Sequence, residues 1–247
     1  MSTSNTSTTN LLELKGVHTH IGAYHILHGV DLAVPKAQLT MLLGRNGAGK
    51  TTTLRTIMGL WHASQGSIHF GGKDITAMNT PAIAGLNIAY VPENMGIFAD
   101  LTVKENMLLA ARSARNAAQM DEARLQWIFK LFPAVEKFWN HPAGKLSGGQ
   151  KQMVAVSRAI VEPRDLLIVD EPSKGLAPAI INNMIDAFDQ LKKSGVTILL
   201  VEQNINFAKR LGDTVAVMDN GQVVHAGSMA ALAADEELQR SLLGLAL

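Results

Sequence analysis

Residues 39–52 read LTMLLGRNGAGKTT, a short apolar run that passes into a glycine-rich loop and then into threonines. The loop matches the pattern G-x-x-x-x-G-K-[ST], in which successive backbone N–H groups surround bound phosphates. Its glycines let the backbone curl close to the phosphates, and a helix beginning near Lys50 would direct its positive dipole end at them. The stretch therefore predicts a strand, a phosphate-binding loop and a helix, in that order.

The polar groups of this loop have separate expected roles. Lys50 would reach the β- and γ-phosphates of a nucleotide, the Thr51 hydroxyl would ligate Mg²⁺, and Thr52 would donate toward the α-phosphate. A glycine-rich turn that only caps a helix is the alternative, and two motifs further along the chain disfavour it. The predicted nucleotide-binding residues are Gly44, Arg45, Asn46, Gly47, Ala48, Gly49, Lys50, Thr51 and Thr52.

The second motif is an acidic pair at the end of an apolar run. Residues 166–169 read LLIV, and Asp170 and Glu171 follow directly. Carboxylates at the end of a buried strand are costly unless a cation or a substrate uses them. Partial burial beside an anion would raise the proton affinity of Glu171, which suits a general base. A solvent-facing acidic pair is the alternative, and the neighbouring motifs disfavour it.

The third motif lies between the other two, at residues 146–150, which read LSGGQ. Ser147 is placed to cap the helix that follows it, and the two glycines leave backbone amides bare. This arrangement predicts a second anion site that has no lysine of its own. A plain helix cap followed by two glycines is the alternative.

The three motifs in this order resemble the ATP-binding subunits of ATP-binding-cassette (ABC) transporters, from about Leu11 to the C-terminus. The resemblance implies that Asp170 holds Mg²⁺ through water and that Glu171 is the general base for the water that attacks ATP. It also implies that the LSGGQ segment binds the γ-phosphate of ATP held by another subunit, so that two sites form in a two-fold dimer. The signature residues expected to do so are Ser147, Gly148, Gly149 and Gln150.

Four positions depart from the general pattern of the family. Glu93 stands where a glutamine usually contacts magnesium, Gln203 replaces the usual switch histidine, and Ala177 replaces a common aspartate. These three resemble the second ATP-binding subunit of branched-chain amino-acid importers. Ile21 fits neither pattern, because an aromatic side chain is expected there to stack on adenine, and Tyr24 is a weak substitute.

The resemblance thus implies a complete hydrolytic site. The expected catalytic residues are Glu171 and Gln203, and the expected Mg²⁺ ligands are Thr51, Glu93 and Asp170. Glutamine can donate and accept a hydrogen bond but cannot become charged near neutral pH, so Gln203 predicts a weaker hold on the γ-phosphate than histidine would give.

Composition excludes several other classes of protein. The 247 residues carry a net charge of +1, whereas a nucleic-acid binder is expected to be strongly basic. The sequence has no cysteine that could form a disulfide or a thiolate metal site. No apolar stretch approaches the roughly 20 residues that cross a bilayer, so a membrane role would need a spanning partner. The eight histidines form no metal motif, and His18 and His20 are expected on a solvated strand face.

The rest of the chain alternates between strand and helix patterns. A helical pattern occupies residues 103–138, in which Pro133 is expected to stop one helix. We expect an α/β fold of the P-loop NTPase, ABC type, with a mostly parallel core sheet, an antiparallel N-terminal β subdomain and an inserted helical subdomain at about residues 95–162. Residues 1–10 are expected to be a disordered tail rather than a signal peptide, and residues 11–247 one ABC ATPase domain.

The resulting hypothesis is an ATPase that drives uptake of branched-chain amino acids. The expected partners are membrane-spanning permease subunits, a second ABC ATPase subunit or a second copy of this chain, and indirectly a periplasmic solute-binding protein. The protein would be cytoplasmic and bound to the inner face of the membrane. Met95, Ile97, Phe98 and Leu101 are expected to form a groove for a permease helix, with ordinary core packing as the alternative. Alternatives are another cargo (urea, an amide or a lipid), a soluble ABC protein of translation or DNA repair, and a regulatory subunit of low activity.

Overall fold

The computed structural model describes residues 9–244, which form ten strands and ten α-helices. The strands are β1 (Asn10–Ile21), β2 (Tyr24–Pro35), β3 (Leu39–Gly44), β4 (Ala63–Phe70), β5 (Lys73–Asp74), β6 (Ile88–Val91), β7 (Leu166–Asp170), β8 (Thr197–Val201), β9 (Thr214–Asp219) and β10 (Gln222–Ser228). The helices are α1 (Lys50–Ile57), α2 (Thr80–Ala84), α3 (Val103–Ala110), α4 (Glu122–Leu131), α5 (Pro133–Lys137), α6 (Gly148–Ala159), α7 (Pro178–Lys193), α8 (Ile205–Leu211), α9 (Met229–Ala234) and α10 (Glu236–Leu243).

Two sheets divide the strands as the sequence predicts. An antiparallel sheet of four strands has the order β2-β1-β4-β5, and a sheet of six strands has the order β10-β9-β3-β8-β7-β6. In the second sheet β9, β3, β8, β7 and β6 are parallel, and β10 runs antiparallel to β9. The predicted α/β class, with a mostly parallel core sheet beside an antiparallel N-terminal sheet, is confirmed.

Every residue of β3, β7 and β8 is buried, because helices or the other sheet cover both faces of the parallel sheet. Side chains that alternate along each strand belong to different apolar clusters. Leu167 and Val169 pack in the cluster that includes α6, α7 and α8, whereas Leu166 and Ile168 pack in the cluster that includes α1 and the antiparallel sheet. The carboxyl ends of these strands meet at one edge, where ligands of parallel sheets bind.

The segment between β6 and β7 is helical, and its helices α3 to α6 fall within the predicted range of about 95–162. The helix expected to stop at Pro133 does end there, because α4 ends at Leu131 with Phe132 as its cap. The structure adds that Pro133 takes the first position of a further short helix, α5. Proline fits there because the first turn of a helix needs no N–H donor from that residue.

The expected N-terminal tail lies mostly outside the described residues. Its last residue, Asn10, already begins β1 and pairs with Pro35, and the Thr9 carbonyl accepts a hydrogen bond from the Lys36 N–H at 3.0 Å. The ordered chain therefore starts before Leu11. Among residues 9–244 no helix has the length and hydrophobicity that crossing a bilayer requires.

Candidate functional site

The phosphate-binding loop connects β3 to α1 at the carboxyl edge of the parallel sheet. Gly44 has φ +148°, and a Cβ atom there would collide with the Met218 carbonyl oxygen of the neighbouring strand. Gly49, with φ +101°, precedes the first turn of α1, and its carbonyl accepts the Thr53 N–H at 2.8 Å. The loop conformation therefore depends on glycine at both ends.

Lys50 is buried at the start of α1, with its ammonium directed back over the loop. Its Nζ donates to the carbonyls of Gly44 at 2.9 Å and Arg45 at 3.0 Å, and lies 3.7 Å from Oε1 of Glu171. Burial lowers the pKa of Lys50, whereas the charges of Glu171 and Asp170 act in the opposite direction. A buried ammonium held among backbone groups at a helix N-terminus is suited to bind phosphate oxygens.

Asp170 is fully buried at the end of β7, and its Oδ1 has no hydrogen-bond partner in the described chain. Burial raises the pKa of Asp170 to about 6, and a hydrogen bond with the Thr51 side chain partly offsets this. The Tyr90 hydroxyl donates to Oδ2 at 3.5 Å, and burial followed by the Asp170 charge raises the pKa of Tyr90 to about 12. The structure thus brings Thr51 and Asp170 together, as the sequence predicts.

This donor set fits Mg²⁺. A buried carboxylate oxygen without a partner is rare, and here it lies beside a threonine hydroxyl at the mouth of a phosphate loop. Among residues 9–244 no three His, Asp or Glu side chains are grouped closely enough to hold a metal by themselves. Mg²⁺ commonly takes one or two carboxylates from a protein and its remaining oxygens from phosphates and water.

Glu171 has a left-handed backbone, with φ +49°, although it is not a glycine. Such strain in a non-glycine residue is costly and is found most often at functional sites. Its side chain is 8% exposed and accepts a hydrogen bond from Nε2 of Gln203 at 2.5 Å. The structure therefore places the predicted base and the predicted switch residue in direct contact.

Lys174 is a site residue that sequence reasoning missed. Its Nζ lies 2.5 Å from Oε1 of Glu93 and 3.5 Å from Oε2 of Glu171, so it joins the two carboxylates. The hydrogen bond to Glu93 and the charge of Glu171 raise the pKa of Lys174. The sequence gives only the three-residue spacing between Glu171 and Lys174, which by itself does not indicate a contact with Glu93.

Glu202 is a second residue that sequence reasoning missed. It is 2% exposed, and its carboxylate accepts backbone N–H groups of Ser173 at 2.9 Å, Gln203 at 3.1 Å and Asn204 at 3.3 Å. Burial raises the pKa of Glu202, and these donors act against that rise. The buried carboxylate ties the loop that follows Glu171 to the loop that carries Gln203.

The signature segment forms a separate feature on α6. Ser147 and Gln150 make a reciprocal capping box, in which the Ser147 N–H donates to Oε1 of Gln150 at 2.9 Å. Gly148 is exposed with open space around it, whereas a Cβ on Gly149 would lie 2.7 Å from Cγ2 of Ile180. In the described chain the capping-box hydrogen bonds of Ser147 and Gln150 stay within this segment.

The β1–β2 hairpin carries Ile21 and Tyr24, the two residues that the sequence analysis considered for stacking on adenine. Ile21 pairs with Tyr24 across the turn, and Tyr24 is 75% exposed. His18 and His20 are on one strand face as predicted, but both contact His25. Nδ1 of His18 lies 3.0 Å from Nε2 of His25, and the rings of His20 and His25 stack at 4.2 Å.

A cleft of about 1000 Å³ opens beside Glu93. It is lined by Arg55, Trp61 and Tyr90 among others, not by the apolar residues that the sequence singled out. Met95 and Ile97 instead pack against the core, and Phe98 is half exposed. The permease groove expected at Met95, Ile97, Phe98 and Leu101 stays a prediction.

Residues 27–174 match the family model described as ABC transporter. The chain is 37% identical over 237 residues to the high-affinity branched-chain amino acid transport ATP-binding protein BraG of Pseudomonas aeruginosa, which covers 95% of this chain and 100% of that protein. It is 34% identical to the probable branched-chain amino acid transport ATP-binding protein LivF of Archaeoglobus fulgidus, over 90% of this chain and 93% of that protein. A crystal structure of the ADP conformation of an ATP-binding cassette of an ABC transporter matches with a TM-score of 0.80 at 26% identity, over 96% of this chain and 100% of that chain.

Proposed function

The chain belongs to the ABC transporter family as an ATPase subunit, and we propose that its ATP hydrolysis drives uptake of branched-chain amino acids. The similarity to BraG and LivF over nearly the whole chain supports this cargo. The observation that carries the proposal is the convergence of Lys50, Thr51, Asp170 and Glu171 at one edge of the parallel sheet.

Each of these side chains has a task that its surroundings fit. Lys50 holds the β- and γ-phosphates of ATP and offsets their charge. Glu171 takes the proton of the attacking water, and the hydrogen bond from Gln203 orients its carboxylate. Thr51, Asp170 and Glu93 are the residues that would hold Mg²⁺, which neutralises charge on the phosphates when bound.

The signature segment serves ATP bound to a second subunit. Gly148 leaves open space before the exposed N-terminus of α6, a twelve-residue helix, and this suits an approaching γ-phosphate. The second subunit is a different ABC ATPase or another copy of this chain. Permease subunits bind at the cleft beside Glu93 and hold the ATPase at the inner face of the membrane, and a periplasmic solute-binding protein acts with them indirectly.

The test uses the purified chain and the variants Lys50→Ala and Glu171→Gln, with Glu237→Gln as a control on the exposed face of α10. Lys50→Ala should lose nucleotide binding or turnover. Glu171→Gln should keep binding, lose at least about a hundredfold in turnover as expected of a missing general base, and accumulate an ATP-bound dimer on size exclusion. Native turnover in Glu171→Gln would contradict the assignment of the base.

The cargo needs a separate measurement. With its permease and solute-binding partners in proteoliposomes, the wild-type chain should support ATP-dependent uptake of leucine, isoleucine and valine. Uptake of only urea, an amide or a lipid would overturn the cargo and leave the ATPase assignment intact. Gln203 and Ala177 favour a regulatory subunit of low activity as a second candidate, which predicts nucleotide binding with turnover that Glu171→Gln does not change.

A further inference from the structure

Lys174 connects two carboxylates that come from adjacent strands of the parallel sheet. Glu93 follows β6 and Glu171 follows β7, and β6 pairs with β7 along the whole length of β6. The ammonium is 2.5 Å from Glu93 and 3.5 Å from Glu171. A single flexible side chain therefore bridges a residue expected to face Mg²⁺ and the residue expected to activate water.

The charges around Lys174 explain why a cation is needed there. The carboxylates of Glu171 and Glu93 both act to raise the pKa of Asp170, which shows that three negative groups are close together. Lys50 is bound to the carbonyls of Gly44 and Arg45. Lys174 is the ammonium that meets Glu93, and it balances a charge that Lys50 does not reach in the described structure.

The ion pair between Lys174 and Glu93 is weak enough to be displaced by another cation. The Lys174 side chain is 57% exposed and that of Glu93 is 44% exposed, so solvent weakens their attraction and little packing holds the lysine in place. A hard divalent cation prefers carboxylate oxygen, and a hydrated ammonium on a four-carbon stem can move away at small cost.

We propose that Lys174 is a positioning residue that acts as an internal, displaceable counter-ion: its ammonium pairs Glu93 with Glu171 and must leave Glu93 before that carboxylate can face Mg²⁺. The inference rests on the proposed roles of Glu93 and Glu171. It follows that Lys174 competes with the divalent ion and sets how much Mg²⁺ the chain needs to bind nucleotide.

The experiment measures binding of a fluorescent, non-hydrolysable ATP analogue across a series of Mg²⁺ and Mn²⁺ concentrations, with bound Mn²⁺ counted by electron paramagnetic resonance. In Lys174→Met the half-saturating metal concentration should fall by roughly two- to five-fold, the range that loss of one exposed ion pair gives. Lys174→Arg keeps the charge and should stay close to wild type. Lys193→Met is the matched control, because Lys193 is an exposed lysine paired with Asp189 on α7.

A second comparison shows whether the effect passes through Glu93. In a Glu93→Gln background, Lys174→Met should change the metal requirement no further, since the ammonium then pairs only with Glu171 and no longer competes with the metal for the residue 93 carboxylate. An unchanged or increased metal requirement in Lys174→Met overturns the inference, as does a full effect in the Glu93→Gln background. If instead the wild-type chain binds no nucleotide at any metal concentration, the proposed function fails as well, so the two failures are distinguishable.

Discussion

The phosphate loop and the signature segment each lead into a helix N-terminus at which we propose that an anion binds, but the residues around the two helix N-termini differ. The phosphate loop is backed by buried strands and carries Lys50, with Asp170 and Glu171 beside it. The signature helix has a capping box and an exposed glycine, and the segment Ser147–Gln150 at its start contains no cationic side chain. In the proposed function, the phosphate loop with Asp170 and Glu171 (the phosphate half) binds phosphates by itself. The signature segment with α6 (the signature half) adds only backbone dipoles and depends on ATP held by a partner.

The largest effect is expected when the phosphate half is inactivated in one copy of the chain and the signature half in another copy. Lys50→Ala and Gly148→Asp should each reduce turnover by about a hundredfold or more. Lys50→Ala removes a positive charge that holds the phosphates, and Gly148→Asp adds a negative charge that repels them. If two copies form a two-fold dimer, mixing the two variants restores one complete site in every mixed dimer. ATPase assays of the mixture should therefore recover activity that neither variant shows alone, and no recovery would contradict composite sites between copies of this chain.

Within the phosphate half, the next largest effect on turnover is expected from substitutions of Gln203. Gln203→Ala removes the donor that Glu171 accepts and should lower turnover by about tenfold, the cost of one hydrogen bond to a charged group. Gln203→His should raise turnover, because a charge-assisted contact with the γ-phosphate is about twice as strong as a neutral one. Steady-state ATPase rates of the three proteins decide this, and equal rates would remove Gln203 from the mechanism.

Asp170, the buried carboxylic acid of the phosphate half, should lower the free energy of unfolding when it is ionised and no Mg²⁺ or nucleotide is present. The folded-state pKa of Asp170, about 6, lies above the unfolded-state value of about 4, so its stabilising contribution is complete below pH 4 and is lost as the pH rises through 6. Asp170→Asn should therefore match wild type near pH 4 and exceed it by up to about 3 kcal/mol in free energy of unfolding at pH 7.

Urea unfolding at both pH values provides the measurement for Asp170→Asn. A variant less stable than wild type at pH 7 would show that another group already compensates the Asp170 charge. Addition of Mg²⁺ and ATP should favour the wild type again, since a ligand that binds the folded state stabilises it.

The smallest expected effect distinguishes the role of Ser147 as a helix cap from its proposed role in binding the partner's ATP. Ser147→Ala and Thr102→Ala each remove a capping-box side chain, on α6 and α3, and each should cost about 1 kcal/mol of stability. Thermal melts should show similar losses. Turnover should fall only in Ser147→Ala, because only that cap faces the partner's ATP, and equal turnover in both variants would leave Ser147 with a structural role alone.

The sequence predicts the local parts of the site well. A loop that follows a fully apolar strand and precedes a helix is defined by neighbours in the chain, so the positions of Lys50, Thr51, Asp170 and Glu171 follow from motif spacing. The cap at Ser147 follows from the same short-range rules. The meeting of Gln203 with Glu171 was expected through the γ-phosphate, and the structure adds a direct hydrogen bond.

Tertiary structure alone decides the contacts between loops that are distant in sequence. Lys174 meets Glu93 across 81 residues, and Glu202 caps the Ser173 amide across 29, because strands that are adjacent in the sheet bring their carboxyl ends together. No local pattern encodes that strand order. The sequence by itself determined which residues are candidates to bind phosphate and Mg²⁺, since glycine conformation, helix dipoles and side-chain charge are local properties. The order of strands then determined which carboxylates share a cation, since electrostatic pairing depends on distance in space.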